Sequence, residues 1–200
     1  YKWFSEGSAS WAEVFVWQRV SGAYKITDLF QNPDLNLYDA SYSALPFWMF
    51  FQTRQQDTPD DNPLISFLQK YEATGNERNS LAEVIDEDWP ANNVYGQLDN
   101  FFALFSRERR IGVWRQTPTG GQPYATILDP SGNNIVPTLT ITAVSLGSGD
   151  EYANAGSVSQ IGSDYYRFNF EGDAGGQTFT VSVTGVPGGN YSYYLIWEKN

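Results

Sequence analysis

The spacing of apolar residues changes near residue 111, and that change constrains the fold more than any other feature of the 200-residue chain. Before it, apolar residues recur every three or four positions, the rhythm of helices that bury one face. After it they alternate with polar residues, and turns rich in Gly, Pro and Asn arrive at short intervals, the rhythm of short strands. One stretch cannot satisfy both periods, so the sequence predicts an α+β chain in two segments. These are an all-α helical half over residues 1–112 and an antiparallel β-sandwich over residues 113–200.

In the first half, "SEGSASWAEVFVWQRV" predicts a helix capped by Ser5, with Ala9, Ala12, Val16 and Val20 along one face and Phe15 alongside. "YSALPFWMFFQTR" is apolar on every side, which predicts burial on most of them, and Pro46 makes the helix begin near Leu45 or kink there. "LISFLQKYEA" predicts a helix from Pro63. "NSLAEVIDEDW" predicts another from Asn79 or Ser80, with Glu83 resembling the acid of a capping box. "NNVYGQLDNFFALFSRERR" lines up Val94, Leu98, Phe101, Phe102 and Phe105 and ends on basic residues that suit a helix C-terminus.

In the second half, "TLTITAVSL", "DYYRFNF", "QTFTVSVTG" and "YSYYLIWE" are rich in the Thr, Val, Tyr and Phe that strands favour. "DPSGNN", "EGDAGG" and "VPGGN" supply turns between them. Several short strands in so few residues predict a small antiparallel sandwich.

Composition narrows the function classes. Hydrophobic residues make up 41% of the chain and charged residues 18%, values of a folded globular protein. The net charge of −11 argues against a nucleic-acid partner, which needs a basic face, and against docking on an anionic membrane. With no cysteine, neither disulfides nor thiolate chemistry is available. No apolar run is long enough to span a membrane. The acidic balance suggests a solvated surface on a secreted or cell-surface protein. The chain opens on "YKWF" without Met, which suggests a piece of something longer, and a basic-then-apolar leader is absent or already removed.

The densest chemical signal is "KWFSEGSASWAEV". A glutamate, Glu6, is followed by glycine and small residues and flanked by Trp3 and Trp11. A carboxylate in the first turn of a helix is explained by the helix dipole alone. The phrase "WFSEGSASW", through Trp3, Glu6, Gly7 and Ala9, also resembles the segment that follows the zinc-binding helix in gluzincin metallopeptidases. "YDASYSALPFWMFF" is similar to a downstream tyrosine-bearing helix of the same family.

The resemblance implies that Glu6 is the third protein ligand of a catalytic zinc, beside two histidines and a water. It implies that Gly7 lets a second helix approach closely. Tyr42 becomes a candidate catalytic residue whose phenol donates to the oxyanion of a tetrahedral intermediate; the other reading is a buried tyrosine bonded to a carbonyl. Glu13, seven residues after Glu6 and on nearly the same face, becomes an outer-shell acid that orients a histidine ligand, or a solvated acid.

The sequence departs from the family where the chemistry is most demanding. The His-Glu-x-x-His helix is absent, and the chain contains no histidine. One carboxylate cannot hold zinc, and the general base is missing with the motif. The implied cofactor is therefore zinc in an intact parent, with none expected on this chain alone. The implied partners are the missing N-terminal part of the same protein and, in the parent, a peptide or protein substrate.

Remaining signals are weaker. "DTPDDNP" lacks the Gly and terminal Glu of an EF-hand loop and reads as solvated. Tyr165, Tyr166, Tyr191, Tyr193 and Tyr194 fit a core or domain interface, and also fit an aromatic surface that stacks on sugars. The rival to the peptidase reading is accordingly a non-catalytic adhesion or carbohydrate- or protein-binding module.

Overall fold

Residues 2–17, 19–53, 63–88, 105–106, 128–133, 135, 137–147, 149–154, 163–170, 180 and 182 are described by a computed structural model. Five α-helices form most of it: α1 (Lys2–Trp17), α2 (Tyr24–Gln31), α3 (Leu45–Thr53), α4 (Pro63–Thr74) and α5 (Glu77–Asp88). Two 3-10 turns, Leu37–Asp39 and Ser41–Ala44, join α2 to α3. Two strands follow, β1 (Thr142–Leu146) and β2 (Tyr166–Phe170).

α1 starts earlier and faces differently than its spacing suggested. Ser5 lies within the helix, and the buried stripe is Trp3, Phe4, Gly7, Ser10 and Val14. Ala9, Ala12, Val16 and Phe15 are exposed. Size alone does not decide, since Phe15 and Trp17 of the same helix are each 70% exposed; Trp3 and Phe4 are buried because α3 and α4 offer them Trp48 and Phe67 as packing partners.

α3 is the centre of the core. Leu45, Phe47, Trp48, Met49, Phe50 and Phe51 are all buried, and the helix begins at Leu45 with Pro46 in its first turn, as expected. Trp48 stacks on Trp3 at 5.1 Å between ring centroids, and Phe67 of α4 meets Phe4 at 5.0 Å and Trp48 at 5.2 Å. α4 begins at Pro63 as the sequence predicts. It ends at Thr74, and Gly75 follows with a φ of 64°, the left-handed geometry that terminates helices. α5 starts at Glu77, before the expected Asn79 or Ser80, because Asn76 is the cap: its Oδ1 accepts from the backbone N–H of Arg78 and Asn79, each at 3.1 Å.

The antiparallel β-sandwich expected over 113–200 is not what the described residues form. β1 and β2 pair in parallel in a two-stranded sheet, with Val144 opposite Phe168 and Leu146 opposite Phe170. A period of two establishes which face is buried but not the direction of the neighbouring strand. The connection from residue 147 to 165 is too long for a hairpin and of the length a crossover needs. "QTFTVSVTG" (apart from residues 180 and 182), "YSYYLIWE" and most of "NNVYGQLDNFFALFSRERR" lie outside the described residues.

The C-terminal segment contacts the helices through backbone ends. Thr140 donates its N–H to the Phe30 carbonyl at 2.9 Å and its hydroxyl to the Gln31 carbonyl at 2.6 Å. Both acceptors are carbonyls in the last turn of α2. Ser163 N–H reaches the Pro33 carbonyl at 2.8 Å, and Ile135 and Leu139 pack on the helical core. Among the described residues no helix is long and apolar enough to cross a membrane.

Candidate functional site

Two turns of α1 separate Glu6 from Glu13, so both carboxylates lie on one flank of the helix. Gly7, beside Glu6, provides the close approach that brings other elements to that flank. A Cβ at Gly7 would lie 2.9 Å from the Ala44 Cβ and 2.8 Å from the Trp48 indole. The absence of a side chain there lets the Ser41–Ala44 turn lie directly on α1.

That turn carries Tyr42 onto the flank of α1 that bears Glu6. Ser41 has φ 49°, a left-handed conformation that is uncommon for a residue with a Cβ, immediately before Tyr42. The Glu6 carboxylate acts on the phenol by hydrogen bonding and by its negative charge, and holds the Tyr42 pKa above the usual tyrosine value. Glu6 is half-buried and Tyr42 is 38% exposed, so the pair sits at the rim of the fold.

Glu13 joins the same neighbourhood through α2. Lys25, 6% exposed, donates from Nζ to Glu13 Oε2 at 2.8 Å, and its ammonium lies 5.1 Å from the Tyr42 ring centroid. Ser43 donates its hydroxyl to Asp28 Oδ2 at 3.1 Å, a second tie between the turn and α2. The three residues singled out in the sequence, Glu6, Tyr42 and Glu13, are thus drawn into one cluster, with Lys25 as a member that sequence reasoning missed. Its signal was a lysine on the side of α2 that also buries Ile26, Leu29 and Phe30.

As a zinc site this cluster is incomplete on its own. Its donors are the Glu6 carboxylate and a phenol, Glu13 is engaged by Lys25, and the chain has neither histidine nor cysteine to add. Among the described residues, this cluster does not by itself fit the ion.

A cavity of about 360 Å³ lies elsewhere, between the start of α1, the Leu37–Asp39 turn and the start of α5. Trp3, Tyr38, Asp39, Glu77 and Arg78 line it, and the Arg78 guanidinium stacks 3.9 Å from the Tyr38 ring centroid. None of Glu6, Glu13 and Tyr42 belongs to its wall. No family model matches the chain, and neither a curated protein nor a solved structure matches it.

Proposed function

We propose that the chain is the C-terminal part of an extracytoplasmic zinc-dependent peptidase of the gluzincin type, inactive alone. Two histidines and the general-base glutamate come from a His-Glu-x-x-His helix that this sequence does not contain. Glu6 supplies the carboxylate ligand, and Tyr42 stands beside it as a hydrogen-bond donor toward a peptide substrate. Zinc, if held by Glu6 together with the two histidines of the missing helix, would supply Lewis-acid chemistry at that site. This chain's own residues hold and orient: α1 fixes Glu6, and the Ser41–Ala44 turn presents the phenol.

What supports the reading is the gathering of these residues on one flank of α1: the Ser41–Ala44 turn lies on the helix at Gly7, beside Glu6, and Lys25 bridges Glu13 to the Tyr42 ring. Glu6 and Tyr42 came from separate phrases of the sequence, each with its own resemblance to the family, and the close contact at Gly7 brings the turn to the helix. The test is calorimetry with zinc on this chain and on the chain extended upstream by its native coding sequence. Tight binding only by the extended protein, lost on Glu6→Ala, is expected. An extended protein that binds no zinc, or whose affinity Glu6→Ala leaves unchanged, refutes the reading.

One observation favours the rival binding module. Tyr152, 42% exposed, packs at 6.2 Å from Tyr166 and 6.0 Å from Phe168, and Asn154 bonds the Tyr166 hydroxyl. Aromatic faces with an amide at the rim suit sugar stacking. Binding on a glycan array that Tyr152→Ala abolishes would support that reading instead.

A further inference from the structure

Lys25 is an unusual residue for its position. It sits on the apolar side of α2 with Ile26, Leu29 and Phe30, and a buried ammonium is stable only with a partner. Glu13 is that partner, at 2.8 Å. An ion pair that merely joined α1 to α2 would need nothing more. This one also places the ammonium 5.1 Å from the Tyr42 ring centroid, within the range where a cation is attracted to an aromatic face.

We infer that Lys25 is a positioning residue for Tyr42: anchored by Glu13, it holds the phenol ring against the flank of α1 that bears Glu6. A tyrosine at the rim of a fold otherwise samples several rotamers, and a donor aimed at a substrate works best when its rotamer is already selected. Three contacts select it here. Gly7 admits the turn, the Ser43–Asp28 bond holds the turn to α2, and Lys25 covers the ring. Glu13 accordingly acts through Lys25 on Tyr42 rather than directly on a metal ligand. The benefit to catalysis rests on the zinc-peptidase reading; the clamp itself rests on these contacts alone.

The experiment is aromatic NMR on the isotope-labelled 200-residue chain, with the Tyr42 signals assigned by their disappearance in Tyr42→Phe. The readout is the cross-relaxation between Tyr42 ring protons and Glu6 side-chain protons, with the Trp3–Trp48 contact as an internal control for folding. Lys25→Met and Glu13→Gln are expected to lose the Tyr42–Glu6 signal and keep the Trp3–Trp48 signal, and Lys25→Arg is expected to retain both. A Tyr42–Glu6 signal that persists in folded Lys25→Met, or one lost as fully in Lys25→Arg, overturns the inference. Should Lys25→Met fail to fold, Glu13→Gln and Lys25→Arg decide by the same two criteria. Failure of the peptidase reading shows separately, as absent zinc binding by the extended protein with the Tyr42–Glu6 signal intact.

Discussion

Trp48 donates its indole N–H to the Trp3 carbonyl at 3.0 Å while the two rings lie stacked with only 17° between their planes. One contact thus joins backbone and side chain across α1 and α3, and it holds only if the helices nearly touch. Gly7, one turn after Trp3, is where they do.

Gly7→Ala is therefore expected to destabilise the fold. The added methyl would meet the Trp48 ring at 2.8 Å and the Ala44 Cβ at 2.9 Å, and both are fully packed and unable to yield cheaply. Overpacking of this kind costs about 1–3 kcal/mol, less the small gain from replacing a helical glycine. Urea unfolding of the variant beside Ala12→Ser, an exposed control on the same helix, checks it. A Gly7→Ala protein as stable as the parent would show that the helices do not approach so closely.

Thr140 closes the end of α2 from a distant part of the chain, with its N–H on the Phe30 carbonyl and its hydroxyl on the Gln31 carbonyl. Thr140→Val removes the hydroxyl bond alone and is expected to cost about 1 kcal/mol, the usual net worth of one such bond. Amide exchange should also quicken in the last turn of α2. Unchanged exchange there would mean that the bond does not hold the helix end.

Of the expected turn "DPSGNN", residues 129–133 are described and form a turn, and its acid is part of it. Asp129 Oδ1 accepts from the Asn133 N–H at 2.8 Å and Oδ2 from the Asn133 amide at 2.9 Å, and these bonds hold the Asp129 carboxyl below its usual pKa. A depressed folded pKa means the turn's stabilisation is present above the carboxyl's ordinary range and is lost as pH falls through the lowered value. Titration of the Asp129 carboxyl carbon by NMR should give a midpoint below that of an unfolded peptide, moving up in Asn133→Ala. A midpoint at the peptide's value would show that the turn bonds are not made in solution.

What the sequence disclosed follows from which forces leave a local mark. Pro46 and Pro63 restrict their own backbone, so the starts of α3 and α4 were readable residue by residue. The cap of α5 was not, because Asn76, Asn79 and Ser80 are all good caps and only the positive φ of Gly75 decides among them. Strand direction leaves no mark in an alternating pattern, and the parallel pairing of β1 with β2 was signalled only by the long connection between them. At the site, Glu6, Glu13 and Tyr42 were legible as chemistry. Lys25 was not, because a lysine reads as a surface residue until α1 supplies its partner.

Two phenylalanines separate the face of α1 that the sequence suggested from the one the structure assigns. Phe15 was expected alongside the buried stripe, yet it is 70% exposed and stacks on Trp11 at 5.2 Å. Phe67 is fully buried, with its ring against Phe4, Trp48 and Phe51. Phe67→Ala leaves a cavity among rigid rings that cannot collapse into it, a loss of about 3–5 kcal/mol that takes most of a small domain's stability. Phe15→Ala removes a ring already in water and should fall within about 0.5 kcal/mol of the parent. Thermal unfolding of the two variants gives the ordering directly. If Phe15→Ala proved the more damaging, α1 would be rotated from the orientation described, and Glu6, Glu13 and Gly7 would no longer share the flank on which Tyr42 and Lys25 converge.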